Sequence, residues 1–372
     1  VMDDVHLNRL LDEKSLEMII KAYEDIGMRA VVLPHTKNIA MEKTIPYAEE
    51  LFTDRMKKAT SITYTSEEVI LGFMEEHLQE YNRPGRTVTM GLSSSAPQRS
   101  TIKLMHGFRD LSQKYNVPVA CHVLETYVQK RTGDLFYGKS LVKCLADLEL
   151  LNPNFVLIHC SWINDEDKEL VAQYGSKAVH NPACNMKMGS GIATVYDMFQ
   201  QFPVGLGTDN ISANDSTNLF EAMKLGALLS KIRTPEFTKW LDAEDVVDMA
   251  TVSGGHCLKK ESEIGTLEIG KKADIVLLNM ENEQFIMAED YDKVLAYSET
   301  GYSVDTVLVN GRLVVKDGHL TTIDEKELLE RLAEIRPDIL VEHQLALQEC
   351  TDVTEIFEKC YRRCNDTRLK ER

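Results

Sequence analysis

The chain has 372 residues, with 59 acidic against 42 basic side chains and a formal net charge of −17. Such a balance argues against nucleic acid or an anionic membrane as the main partner, because both repel an acidic surface at long range. An apolar share of 43% excludes a disordered chain, and the length asks for one large domain with an appendage, or for two. No apolar run reaches the 18 or so residues of a membrane span. The opening VMDDVHL reads neither as a signal peptide nor as a start, so we expect the chain to begin mid-protein.

In chain order, short apolar runs alternate with amphipathic helices. Leu16, Ile19, Ile20 and Tyr23 stand at helical spacing, with Gly27 placed to stop the helix. Residues 28–33 (MRAVVL) then read as a buried strand. Thr65 and Glu68 have the spacing of a capping box before a helix whose inner face is Ile70, Phe73, Met74 and Tyr81. Strands follow at 87–92, 117–123, 155–160, 177–180 and 204–208, separated by helical stripes such as Leu104, Phe108, Leu111 and Tyr115, or Leu141, Leu145 and Leu148. Apolar strands joined by helices imply a parallel sheet, either doubly wound or a (β/α)8 barrel. No strand leads into a GxGxxG or GxxxxGK[ST] loop, which disfavours a nucleotide-binding open sheet.

After residue 260 the pattern becomes antiparallel: ADIVLL at 273–278, then VDTVLV and RLVV joined by Asn310-Gly311, a hairpin signal. From Asp324 the chain is charged and helical, with Leu328, Leu329 and Leu332 as a stripe expected on the surface or at an interface. The expected organisation is a barrel over 1–260, part of a small β-sandwich over 261–320 and a helical tail over 321–372. The eight cysteines form no CxxC pair, so reduced thiols in a cytoplasmic protein are the reading.

Functional groups in a parallel barrel stand at the C-terminal strand ends. Those ends carry His122 with Glu125, then His159, His180 and Asp209. Imidazole and carboxylate together suit a hydrolytic zinc site, where the ion keeps one position for water and lowers its pKa towards ~7. Of the other histidines, His35, His77, His106, His256, His319 and His343 lack this placement and read as structural or surface, and His6 stands alone.

The strings CHVLET, LIHC, HNPACNMKMGSGIA and VGLGTDN resemble the amidohydrolase superfamily, in particular its deaminase and chlorohydrolase branch. The likeness runs on through DMATVSGGHCL, EIGTLEIGKKADIVLLN and VNGRLVVKDG, over roughly residues 1–320. It implies a TIM-type barrel with a small β-sandwich, one divalent ion (zinc, with iron as the alternative), a small heterocyclic substrate and a homo-oligomer. By resemblance, His122 and Asp209 are metal ligands and Glu125 is the proton shuttle. His159 orients the water or oxyanion, Asp209 also takes the water's proton, and His180, Asn181 and Asn185 line the substrate side. The implied reaction is hydrolytic deamination of a purine, pterin, pyrimidine or triazine ring, with ring dechlorination or cyclic amide hydrolysis as the alternative.

Two departures stand out. The family's first strand carries His-x-His, and this chain has none; Val1–Asp4 resembles the end of the second strand. The barrel is therefore expected to lack its first strand and most of its second, to expose sheet edges and to be poorly soluble or oligomeric, which makes a non-catalytic fragment or scaffold the competing reading. Secondly, the fourth strand ends in Ser93-Ser94-Ser95-Ala96-Pro97-Gln98 rather than a substrate histidine, so Gln98 is a candidate substrate contact.

Overall fold

The computed structural model describes residues 1–7, 10–59 and 65–370. Its larger sheet is parallel and curled, built from β1 (Met2–Val5), β2 (Ala30–Thr36), β3 (Val88–Met90), β4 (Leu92–Ser94), β5 (Val119–Val123), β6 (Phe155–His159), β7 (Lys177–His180) and β8 (Val204–Leu206). The order runs β1-β2-β4-β5-β6-β7-β8, with β3 also on β2, so β3 and β4 are successive parts of one strand position. Gly91 separates them: a side chain there would run into the Leu33 side chain and sit 2.9 Å from the Pro118 carbonyl. Among the described residues β1 and β8 are the outer strands, and the sheet is an open barrel.

Period-two alternation sorts the strand residues into two cores. Ala30 and Val32, Val119 and Cys121, and Phe155 and Leu157 face the helices. Val31, Leu33, Ala120 and Ile158 face inward, joined by Met2 and Leu258. This parity decides which polar residues reach the barrel interior.

The helix Glu13–Ile26 starts at Asp12, whose carboxylate accepts from the Ser15 amide, and stops at Gly27 in the left-handed region (φ 81°). The capping box expected at Thr65 shifts by one residue. Ser66 is the N-cap and accepts from Val69, because its hydroxyl is the one in reach of the first turn's amides.

A second, antiparallel sheet has the order β12-β11-β10-β9, from β9 (Ile275–Leu278), β10 (Val304–Val309), β11 (Arg312–Lys316) and β12 (His319–Leu320). Asn310 and Gly311 turn the hairpin with φ of 53° and 78°, the double positive φ that the Asn-Gly pair favours. Arg29 joins the two sheets: its Nε and Nη2 donate to the Asp274 carboxylate at 2.5 and 3.0 Å. Asp274 also accepts the Asn310 amide at 2.7 Å.

The tail forms two helices, Glu325–Glu349 and Thr351–Lys370. The first leaves Leu329, Ile335, Ile339 and Val341 exposed. The second brings Val353, Ile356, Phe357 and Cys360 onto Ala48, Phe52 and Met56. All eight cysteines are free thiols, and Cys360 and Cys364 are buried by packing. No helix among the described residues is long and apolar enough to cross a membrane.

Candidate active site

Inward parity and strand ends together build the site. His122 follows Ala120 on the inner face of β5, two residues further towards the barrel mouth. Glu125 lies just beyond β5, held by Gln129. The Gln129 carbonyl accepts the Glu125 amide at 2.7 Å, and its amide donates to the His122 carbonyl at 2.7 Å. Gln129 thus locks the turn between the two functional residues, and no sequence signal singled it out.

His159 needs a different device. Ile158 faces inward, so strict alternation would send His159 towards the helices. Instead His159 and Cys160 take φ of 76° and 54°, and Asp209 takes 59°. Left-handed backbone at non-glycine residues is strained and tends to collect at functional sites. Here it turns the His159 ring into the mouth, where Nε2 stands 3.6 Å from Asp209 Oδ2 and 4.0 Å from Glu125 Oε1. Both separations are too long for a direct hydrogen bond.

Behind His159, Asn185 Oδ1 lies 3.0 Å from Nδ1, and Asn181 Nδ2 lies 3.4 Å from the same nitrogen. The shorter contact puts the proton on Nδ1, donating to Asn185, and leaves Nε2 a lone pair aimed at the carboxylates. Asn181 and Asn185 are buried, as is His180, whose two ring nitrogens have no hydrogen-bond partner. In this arrangement the HNPxxN segment backs His159. Gly207 lets it approach, because a side chain at 207 would collide with Asn181 Oδ1. Gln98 is also buried, 3.5 Å from Gln129 Nε2.

The electrostatics follow from burial. Loss of solvent pushes the Glu125 carboxyl above its ordinary value; His122 opposes the shift and Asp209 adds to it. Burial lowers His122 and His159, with Asp4 and Asp209 respectively opposing, and it takes His180 down to about 3. These rings are therefore neutral near pH 7, the form that accepts protons or binds a metal. The Cys184 thiol is pushed up by burial and by its hydrogen bond to Asp209. Cys184, Glu125 and His159 each place a ligand atom within 4.8 Å of the others.

His35 corrects the expectation that it is structural or surface. β2 runs on to Thr36 rather than ending at residue 33, so His35 is inward with Val31 and Leu33. Its Nδ1 lies 3.2 Å from both carboxylate oxygens of Asp4, and its ring centroid is 3.9 Å from that of His6 and 5.9 Å from that of His122. His77 and His106 do have structural roles, with ring nitrogens 2.8 and 2.9 Å from the carbonyls of Phe73 and Leu148.

Whether these residues fit a divalent ion can be judged from their unsatisfied atoms. His122 Nδ1 is buried without a hydrogen-bond partner, and the neutral imidazoles and carboxylates around it are the donor types that zinc and iron accept. The set fits.

Comparison with known proteins gives the family and the fold. Residues 6–314 match the amidohydrolase family. A 5-methylthioadenosine/S-adenosylhomocysteine deaminase of Syntrophus aciditrophicus is 37% identical over 227 residues, covering 61% of this chain and 51% of that protein. One of the same description from Caldanaerobacter subterraneus is 31% identical over 310 residues, covering 83% of this chain and 66% of that protein. This chain thus spans about half the length of the first relative and 66% of the second. Among solved structures, an atrazine chlorohydrolase from Arthrobacter aurescens with zinc superposes with a TM-score of 0.79 at 21% identity, over 90% of this chain and 72% of that one. At that identity the likeness shows the fold.

Proposed function

The chain belongs to the amidohydrolase family, and we propose that it carries the catalytic groups of a metal-dependent aminohydrolase acting on a small aromatic N-heterocycle. Among the ring types that suit this chemistry, an adenine ring bearing a 5′-modified ribose is the favoured substrate, since the relatives at 31–37% identity are named for such compounds. The observation that carries the reading is the meeting of Glu125, His159 and Asp209 within 4.0 Å contacts at the ends of β5, β6 and β8.

In this reading His122 and Asp209 would hold the ion, zinc or iron, and when bound it supplies an acidified water as nucleophile. Every other role belongs to the chain. Asp209 takes the proton of the attacking water. His159 Nε2, unprotonated because Nδ1 donates to Asn185, accepts a hydrogen bond from that water and aims it at the amino-bearing carbon. Glu125, whose carboxyl burial pushes above its ordinary value, gives its proton to the adjacent ring nitrogen. The amino group leaves as ammonia after receiving the proton that Asp209 accepted, and the ring keeps the oxygen as a carbonyl once the remaining hydroxyl proton passes to Glu125, which restores the acid. Asn185 serves by fixing the His159 tautomer and Asn181 by packing behind the same ring, while Gln98 faces the ring side.

The test is a zinc-supplemented chain offered adenine nucleosides, cytosine, guanine, pterins and amino- or chlorotriazines, with ammonia and chloride both measured. Ammonia from adenine nucleosides is the expected result. Chloride alone would move the assignment to ring dechlorination. A folded, zinc-loaded chain that releases neither would establish the scaffold reading.

A further inference from the structure

We propose that Asp4, His35 and His122 form a divalent-metal site across β1, β2 and β5. It shares His122 with the preceding reading, and because a neutral imidazole has one lone pair, the pair Asp4 and His35 is here the alternative to Asp209 for completing that ring's ion; Asp4 and His35 have no part in the motifs described above.

The argument begins with parity. On β1, Met2 joins the inner core and Val5 the outer one, so Asp4 faces inward, while Asp3 faces the helices and accepts from the Tyr23 hydroxyl at 2.5 Å. On β2 and β5 the inward series are Val31, Leu33, His35 and Ala120, His122. Three of four successive strand positions, with β4 between β2 and β5, therefore end their inner faces in a carboxylate and two imidazoles. The strand between the two imidazoles presents only Ser93, paired with His35 in the parallel register, and its small side chain leaves room for both rings.

The distances suit one ion. Asp4, His35 and His122 each offer a ligand atom within 4.8 Å of the others. Asp4 carboxylate oxygens lie 3.2 Å from His35 Nδ1 and 3.7 Å from His122 Nδ1. Ligands about 2.1 Å from a tetrahedral zinc are about 3.4 Å from one another, and these two spacings bracket that value. An Asp4–His35 hydrogen bond by itself would account for the first spacing. It leaves the second unexplained, because 3.7 Å is beyond hydrogen-bond range and His122 Nδ1 is buried without another partner. A cation between the three satisfies all of them, and a donor set of one carboxylate and two imidazoles matches a zinc site that keeps a fourth position open.

The experiment uses the full chain, loaded with zinc, dialysed and assayed for metal content, then titrated against a chromophoric chelator. The wild-type chain should retain close to one equivalent. Asp4→Asn and His35→Gln, which keep shape and remove the metal-binding donor, should each weaken zinc affinity at least fivefold with unchanged melting of the metal-free protein. Failure of the wild type to retain zinc, or a weakening below fivefold in either variant, overturns the site. A zinc-edge absorption spectrum of the wild type is independent of any variant's folding: two imidazole ligands are expected, and fewer than two overturns it. Asp209→Asn and ammonia release keep the two readings apart. Affinity lost only in Asp209→Asn, with ammonia still released by the wild type, removes this site and leaves the aminohydrolase. Zinc dependent on Asp4 and His35 without ammonia from any ring does the reverse.

Discussion

The two sheets are built from similar residues and hold them differently. In β2, Ala30, Val31, Val32 and Leu33 are at most 2% exposed, whereas in β9 Val276 and Leu277 are 53% and 50% exposed. Both strands read as valine- and leucine-rich runs. The parallel strands are covered by helices on one face and by one another's side chains on the other, while the antiparallel sheet leaves much of its apolar surface in water. Close cover is what fixes a side chain to a fraction of an ångström, and every group assigned to chemistry here comes from the covered sheet. Composition alone does not tell a strand that can position a catalytic side chain from one that cannot.

That contrast can be tested by damaging each sheet. The largest effect is expected inside the barrel mouth: Glu125→Gln should lower kcat for ammonia release by ~10²–10⁴ while leaving the thermal midpoint in place, and a loss under tenfold would remove Glu125 from the mechanism. Next comes the link between the sheets. Arg29→Ala strands Asp274 beside a largely buried position and should cost about 3 kcal/mol in chemical denaturation; hydrogen exchange should show protection lost in β9 to β11 before the barrel strands. If both sheets lose protection together, they form one cooperative unit and the contrast is weaker than drawn.

Gly207→Ala forces Asn181 off its place behind His159 and should destabilise by about 1–3 kcal/mol, with kcat falling more than KM changes. Unaltered kinetics would mean that His159 keeps its place without Asn181 behind it. The smallest effect belongs to the exposed sheet: Val276→Thr should change stability by less than ~0.5 kcal/mol and reduce any self-association seen by light scattering.

Much of this was legible in the sequence because burial on two faces writes continuous apolar runs. The strands carrying His122, His159 and His180 could be located that way, and the family strings then attached roles to Glu125 and Asp209. Other parts were not legible, for definite reasons. Ending β2 at Leu33 concealed His35, since Pro34 normally punctuates a strand, yet here Val5 pairs with Pro34 and the strand continues. Asp4 lay in a stretch read only as a remnant. Gln129 acts through its own side chain on the backbone of Glu125 and His122, a pairing with no periodicity to betray it. His159 had the right identity and the wrong parity, and only its left-handed backbone reconciles the two.

That backbone has a consequence for anyone seeking to retarget the proposed activity by laboratory evolution. Residues 159, 160 and 209 sit at φ of 76°, 54° and 59°, where β-branched residues are strongly penalised and asparagine, aspartate and glycine are tolerated. A library that randomises them would spend most of its members on misdirected strand ends. Diversity is better placed at Gln98, leaving the three turned positions as fixed points of the search.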